Sequence, residues 1–277
     1  MTRYTANQTP RATPAPRATR AVFMAILSAA IFLLPAALPA QAMETWQQQL
    51  QRVDANLNIL DTDLQAEYTL EKRDPGGATT TTVAAVFRRD RTEQFLVLIL
   101  EPSVDKGRGY LKSGDNIWLY DPADRTFTFT SARDRFQNSS IRTSDFERSN
   151  LSRDFRVTAV TRESLGRFDT VVLDLEATTN RAAFPRIRIW VSDDDLIRKR
   201  EDYSLSGQLL RTTAIPSYQR VGARWIPAQM VILDHLVSRT INGRTVFERT
   251  TVTIRNPSLA PLSDSVFTRD YLERVTR

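Results

Sequence analysis

Cysteine is absent from the 277-residue chain, and histidine occurs once, at His235. The first absence removes disulfides, thiolate nucleophiles and thiolate metal sites together. The second leaves a hydroxyl–imidazole triad with at most one base. His235 lies in MVILDHLVSR at the end of a strand-like run, where a solvated edge residue is expected. Phosphate loops are missing as well, for Gly107-Arg108-Gly109 is followed by no GK[ST] and opens no helix. The run Asp193-Asp194-Asp195 has no EF-hand spacing around it and reads as a charged turn. No pair of carboxylates is singled out for glycoside chemistry. The residues therefore predict no enzyme, no cofactor and no metal.

Acids are missing from the first 42 residues, which carry Arg3, Arg11, Arg17 and Arg20 ahead of an uncharged run from Ala21 to Met43. Ala40-Gln41-Ala42 ends that run with a small-x-small cleavage pattern. A signal peptide over residues 1–42 and a single domain over residues 43–277 are expected. A retained N-terminal anchor is the alternative, since the run is long enough to cross a bilayer. No cysteine follows it, which excludes a lipid anchor on that side chain. Without the leader, Lys+Arg falls from 38 to 34 against 32 acids, and the net charge from +6 to +2. The basic character belongs largely to the leader, so no nucleic-acid partner is expected.

The exported chain opens with METWQQQLQRVDANLNIL, in which Trp46, Leu50, Val53 and Leu57 form one apolar stripe of a helix. A stripe this narrow has to cover something apolar. Beyond Asp61 the period changes to two, and strand-like runs follow one another through RTVFERTTVTIR. Turns such as Asp74-Pro75-Gly76-Gly77 and Asn242-Gly243 are too short for parallel crossovers. Residues 139–151 and the stretch after Ser263 read as helical breaks, with Ser144 or Asp145 as N-cap of the first. The pattern predicts a mainly β protein: a curled antiparallel sheet of about ten to twelve strands, with two or three helices over its concave apolar face. Such a face is either packed core or a cavity for an apolar ligand, and both use the same residue types.

The stretch GRGYLKSGDNIWLYDPADRTFTFTS is the most distinctive in the chain. With Gly107, Gly109, Tyr110, Gly114, Asp115, Asn116 and Trp118, and then Ser144, Asp145 and Phe146, it resembles the outer-membrane lipoprotein-sorting family, which is LolA-like. Thr143 stands where a glycine is usual in that pattern. The resemblance extends from Trp46 to Leu272 and implies an unclosed β-barrel plugged by helices. It further implies a periplasmic, monomeric carrier of lipoprotein acyl chains or other lipid, working with an inner-membrane transporter or outer-membrane acceptor. An accessory or regulatory module for a membrane protein is the other function such a fold serves. On this reading Leu98, Ile117, Leu119, Phe127, Phe129, Leu173, Leu175, Ile187, Ile189, Met230 and Ile232 are the expected cavity wall. Trp46, Leu50, Val53 and Leu57 are the expected lid, and Gly107 and Gly109 are expected bend points. A register slip of one would exchange every inward residue for its neighbour.

Overall fold

The computed structural model describes residues 40–276, with side chains from Thr45 onward. The expected leader over residues 1–42 falls almost wholly outside the described residues. One helix, α1 (Ala40–Leu57), precedes a continuous run of strands. These are β1 (Leu64–Arg73), β2 (Thr79–Arg89), β3 (Gln94–Glu101), β4 (Gly109–Ser113), β5 (Asn116–Asp121) and β6 (Thr126–Thr130). A 24-residue connection, residues 131–154, follows and ends in the single turn α2 (Leu151–Asp154). The chain then forms β7 (Phe155–Leu165), β8 (Phe168–Ala177), β9 (Arg186–Ser192), β10 (Ile197–Tyr203), β11 (Leu209–Val221), β12 (Arg224–Ile241) and β13 (Arg244–Ser258). It closes with α3 (Arg269–Val275).

All thirteen strands join one antiparallel sheet in the order β6-β5-β4-β3-β2-β1-β13-β12-β11-β10-β9-β8-β7. Strands β6 and β7 are its two edges, so the sheet is not closed into a barrel. Twelve of the strands are legible as strand-like runs, several of them alternating; the thirteenth, β4, is five residues long and opens on glycine, so it reads as part of a turn. Asn242 and Gly243, both at positive φ, make the two-residue β12–β13 hairpin that their sequence predicts.

Residues 131–154 join the two edges by crossing one face, called inner here. Tyr110 on β4 and Asp234 on β12 lie five strand positions apart, about 24 Å along a flat sheet. Yet Phe136 packs on Tyr110 with ring centroids 4.7 Å apart, while its neighbour Arg135 ion-pairs with Asp234. The sheet therefore curls around the crossing segment, which plugs it.

Two apolar clusters fill the inner face. One joins β1–β5, β12 and β13 to Phe136, Ile141 and Phe146 of the plug. The other joins β7–β11 to Leu50 and Val53 of α1, with Trp46 and Leu57 packed at its margin. A third cluster lies on the outer face, where Val266, Phe267 and Leu272 cover Phe87, Leu96, Leu111 and Tyr120. The C-terminal segment thus covers the opposite face from the one the sequence predicts. Gly109 explains how it gets so close: a Cβ there would sit 2.3 Å from Leu272 Cδ2. Gly109 is a contact point, while Gly107, at φ +89°, is the bend.

Candidate functional site: a pocket beneath the plug

The plug is short on regular structure. A 3₁₀ turn at Thr143–Phe146 is followed by irregular chain up to α2. Asp145 is not the N-cap of a helix; its carboxylate accepts the Arg142 N–H at 2.7 Å, closing the turn from within. Phe146 anchors the plug on one side, packing on Tyr68, Phe95 and Phe136 at centroid distances of 6.1, 6.1 and 4.8 Å.

The other side is held by charge. Arg211 of β11 donates to both Asp145 oxygens, at 2.6 and 3.0 Å, and to Asp202 of β10 at 2.7 Å. Arg135 of the plug reaches Asp234 of β12 and Glu248 of β13. Ser140 donates its hydroxyl to Glu248 at 2.8 Å and its N–H to Thr250 Oγ1 at 3.2 Å. Burial opposes the charge on both Asp145 and Arg211, but their mutual attraction prevails. The Asp145 carboxyl is held below the usual carboxylate range, and the Arg211 guanidinium is raised. Arg135 Nε is buried without a hydrogen-bond partner, so this latch is incompletely satisfied.

Helix α1 is tied to the end of the plug by polar side chains. Asp54 accepts the N–H groups of Leu151 and Ser152 at 3.0 and 2.8 Å and so supplies the cap that α2 lacks locally. Asn58 and Ser149 exchange two further bonds, at 2.8 and 2.7 Å. At the other face of α1, Gln49 and Arg52 donate to Asp195 at 3.2 and 3.0 Å. The Asp193–Asp195 run is therefore the turn the sequence suggests, with a docking role for the helix. Among the described residues no cluster of His, Cys, Asp and Glu could hold a metal ion. His235 sits against Phe247 and contacts Thr212 Oγ1 through Nε2 at 2.9 Å.

A cavity of about 280 Å³ remains between plug and sheet. Its sheet side is apolar: Leu64, Tyr68, Ile226, Met230, Ile232, Val252 and Ile254 from β1, β12 and β13, with Ile197 and Ile215 beside them. Its roof is Leu57, Ile59, Ile141, Phe146 and Leu151. Of the cationic groups at its margin, Arg88 is bound to Asp90, Arg148 to Glu93, Arg200 to Asp202 and Arg211 to Asp145, while Arg181 is exposed and makes no ion pair among the described residues. What is left to a ligand is hydrocarbon on the sheet side, with the exposed Arg181 as a cation at the margin.

The expected wall residues divide into three groups. Met230 and Ile232 line the cavity, as does Leu57 of the expected lid. Ile117 and Leu119 belong to the same inner-face cluster but lie away from the cavity, and Leu173, Leu175, Ile187 and Ile189 pack beneath α1 with Leu50 and Val53. Leu98, Phe127 and Phe129 do not face the cavity at all. Leu98 and Phe127 pack in the outer cluster, and Phe129 is 67 % exposed and stacked on Trp118. The cause is that β3–β5 bury side chains on both faces and the edge strand β6 follows their outer face, so alternation marks a face without saying which one is inner. In the motif, Ser144, Asp145 and Phe146 line the cavity, while Gly107 and Gly109 face Thr276 and Leu272 near the C-terminus. Tyr68, Val252 and Ile254 were available from the alternation of β1 and β13 but do not stand out there.

A family model described as "-like: Uncharacterized protein" matches residues 91–274, more than half of the chain. The chain belongs to that family. By fold it is LolA-like. It is similar to a LolA superfamily protein of Nitrosomonas europaea, at 22 % identity and a TM-score of 0.68 over 81 % of this chain and 98 % of the other. A putative outer membrane lipoprotein-sorting protein domain of Vibrio parahaemolyticus matches at 18 % identity and a TM-score of 0.72, over 84 % of this chain and 100 % of its own. A DUF1329 family protein of Desulfovibrio piger gives 17 % and 0.72, over 84 % and 99 %. No curated protein sequence matches the chain. At these identities the likeness is one of fold.

Proposed function

We propose that this family member is a periplasmic, non-catalytic carrier that shields acyl chains of lipoproteins or other lipids on their way to the outer membrane. The observation that carries the reading is the apolar cavity beneath a plug fastened on one side by ion pairs. Each buried methylene contributes about 0.8 kcal/mol, so a chain of ordinary length supplies enough free energy without any bond being made or broken. At about 280 Å³ the cavity is near the lower limit of ligand pockets, which run from roughly 300 to 1,000 Å³. A full acyl chain therefore requires the plug to lift. The latch suits that motion, because its carboxylates and guanidinium groups regain water as they part. The leader-like residues 1–42 and the LolA-like fold support export and exchange with an inner-membrane transporter or outer-membrane acceptor.

The test is binding of a fluorescent fatty-acid analogue to delipidated protein, alongside native mass spectrometry of protein purified without detergent. Saturable binding that Met230→Glu abolishes supports the reading. Absence of both probe binding and copurified lipid overturns it.

A further inference from the structure

The longest strands extend past their neighbours. Strand β12 loses its β11 partner after the Arg211–Asp234 pair, and β13 begins five residues before its first pairing with β1, Arg73–Arg249. Residues 238–247 are therefore a two-stranded ribbon whose backbone pairs only with itself, joined to the sheet through the bulge at 235–237. Seven residues beyond Asp234 give it a reach of about 23 Å at full strand rise. A ribbon of two strands is marginal in water without something to pack on.

Its side chains do not suit water alone. Leu236, Ile241 and Val246 are 54, 37 and 38 % exposed. Leu236 is turned out at a bulge that opens the register between Asp234 and Ser238. Arg239 pairs across the ribbon with Val246, and Arg244 with Ile241, so cationic and apolar groups share one face. No acid lies between residues 235 and 247.

The adjoining sheet end carries two further arginines, on the other pleat face of β13 from Arg244 and Val246. Arg73 and Arg249 are directly opposite each other in register, an arrangement of like charges that costs stability. They line one cleft with Ile241, Val246 and Phe247. Among the described residues, Arg73, Arg239, Arg244 and Arg249 are all exposed and none makes an ion pair. Asp74, the acid of the neighbouring turn, is taken by Lys72 at 3.1 Å, and Glu248 by Arg135. Glu71 lies one pleat repeat further into the sheet than Arg73.

We propose that this ribbon is a docking element for the surface of an anionic lipid bilayer. Phosphate headgroups meet Arg239 and Arg244 beside Ile241 and Val246, which with Leu236 enter the interfacial layer, while Arg73 and Arg249 at the adjoining cleft add to the local positive field. Neither part suffices alone: the apolar side chains are too few for neutral lipid, and the arginines without them would bind any polyanion. The surface shares no residue with the cavity lining, so docking and ligand binding can fail independently.

The test is cosedimentation of the exported chain with vesicles of phosphatidylethanolamine and phosphatidylglycerol, against vesicles of phosphatidylcholine. Binding to the anionic vesicles alone, weakened by salt, is expected. Each arginine removed should cost about fivefold, so Arg239→Gln with Arg244→Gln should lower partitioning about twenty-five-fold. Arg239→Lys with Arg244→Lys should keep most of it, and Ile241→Ser with Val246→Ser should weaken it with the charge intact. Since these positions lie beyond the shared sheet, acyl-probe binding should be unchanged in all three and reports on folding. Equal binding to both vesicle types, no binding to either, or undiminished partitioning of the arginine-to-glutamine variant would each overturn the proposal. So would retention of anionic-vesicle binding by the apolar variant at wild-type strength, which would reduce the ribbon to a generic polyanion contact.

Discussion

The covers on the two faces of the sheet combine apolar and charged anchors in different proportions. On the outer face, residues 262–275 lie down mainly through Val266, Phe267 and Leu272, with Arg89 donating to Asp264 and to the Leu262 carbonyl at the start of the segment. Gly109 gives up its side chain so that Leu272 can reach the backbone. On the inner face, residues 131–154 are anchored by Phe136 and Phe146 at one side and by Arg135, Asp145 and Ser140 at the other. Lifting an apolar cover exposes hydrocarbon with no compensation. Lifting a charged one loses Coulomb attraction but restores hydration to every partner. A cover meant to stay is best made of the first kind, and one meant to move can use the second.

Variants that break each cover should separate these roles, beginning with the largest loss. Arg211→Ala leaves Asp202, 0 % exposed, with Arg200 as its remaining charged partner and strips Asp145 of its guanidinium, and should cost about 3–4 kcal/mol in denaturant unfolding. Leu272→Ala should cost about 3 kcal/mol through the cavity it opens in the outer cluster, yet leave acyl-probe affinity of the folded protein unchanged. Gly109→Ala adds a methyl where Leu272 already stands and should cost about 1–3 kcal/mol, with the same indifference of the probe. If Leu272→Ala weakened probe binding as strongly as Arg211→Ala, the division between a fixed and a moving cover would be wrong.

Acid should loosen the inner cover selectively. Asp145 has a folded-state pKa below its ordinary 3.8, so its contribution is complete above that value and is lost as pH falls through the lower, folded one. Its side chain is 26 % exposed, which limits the size of the effect. Stopped-flow probe association should accelerate as pH drops below about 4, and Asp145→Asn should show the faster rate already at neutral pH. A rate independent of pH in both proteins would remove Asp145 from the latch.

The fold could be read from the chain because alternation along β1, β8 and β9 and the turn at Asn242-Gly243 are local signals. The site could be read only in part. Asp145 meets Arg211 across 66 residues, and Arg135 meets Glu248 across 113, so nothing local marks them as partners. Strands β3–β5 are apolar on both faces because the distant C-terminal segment covers one of them, and that segment announces itself only as a short amphipathic end. Leu98, Phe127 and Phe129 were thus legible as sheet residues but not as outer ones. The motif around Ser144-Asp145-Phe146 reached the cavity for a reason its turn-like sequence conceals: it is the chain between two open edges of the sheet.

The smallest expected effect sharpens the comparison most, because it asks whether the aromatic hairpin belongs to either cover. Phe129 is stacked on Trp118 at a centroid distance of 3.7 Å, and Arg269 of α3 lies 3.5 Å from the same Trp118 ring. Both contacts are on the outer face and open to solvent, where ring stacking and cation–π attraction are worth about 0.5–1 kcal/mol each. Phe129→Ser should therefore change stability by no more than about 1 kcal/mol and leave probe affinity as it is. Met230→Glu, one carboxylate placed among Ile232, Val252 and Ile254, should abolish probe binding. Loss of binding in Phe129→Ser would mean that the aromatic hairpin turns inward when the plug lifts, and that the two faces exchange roles on loading.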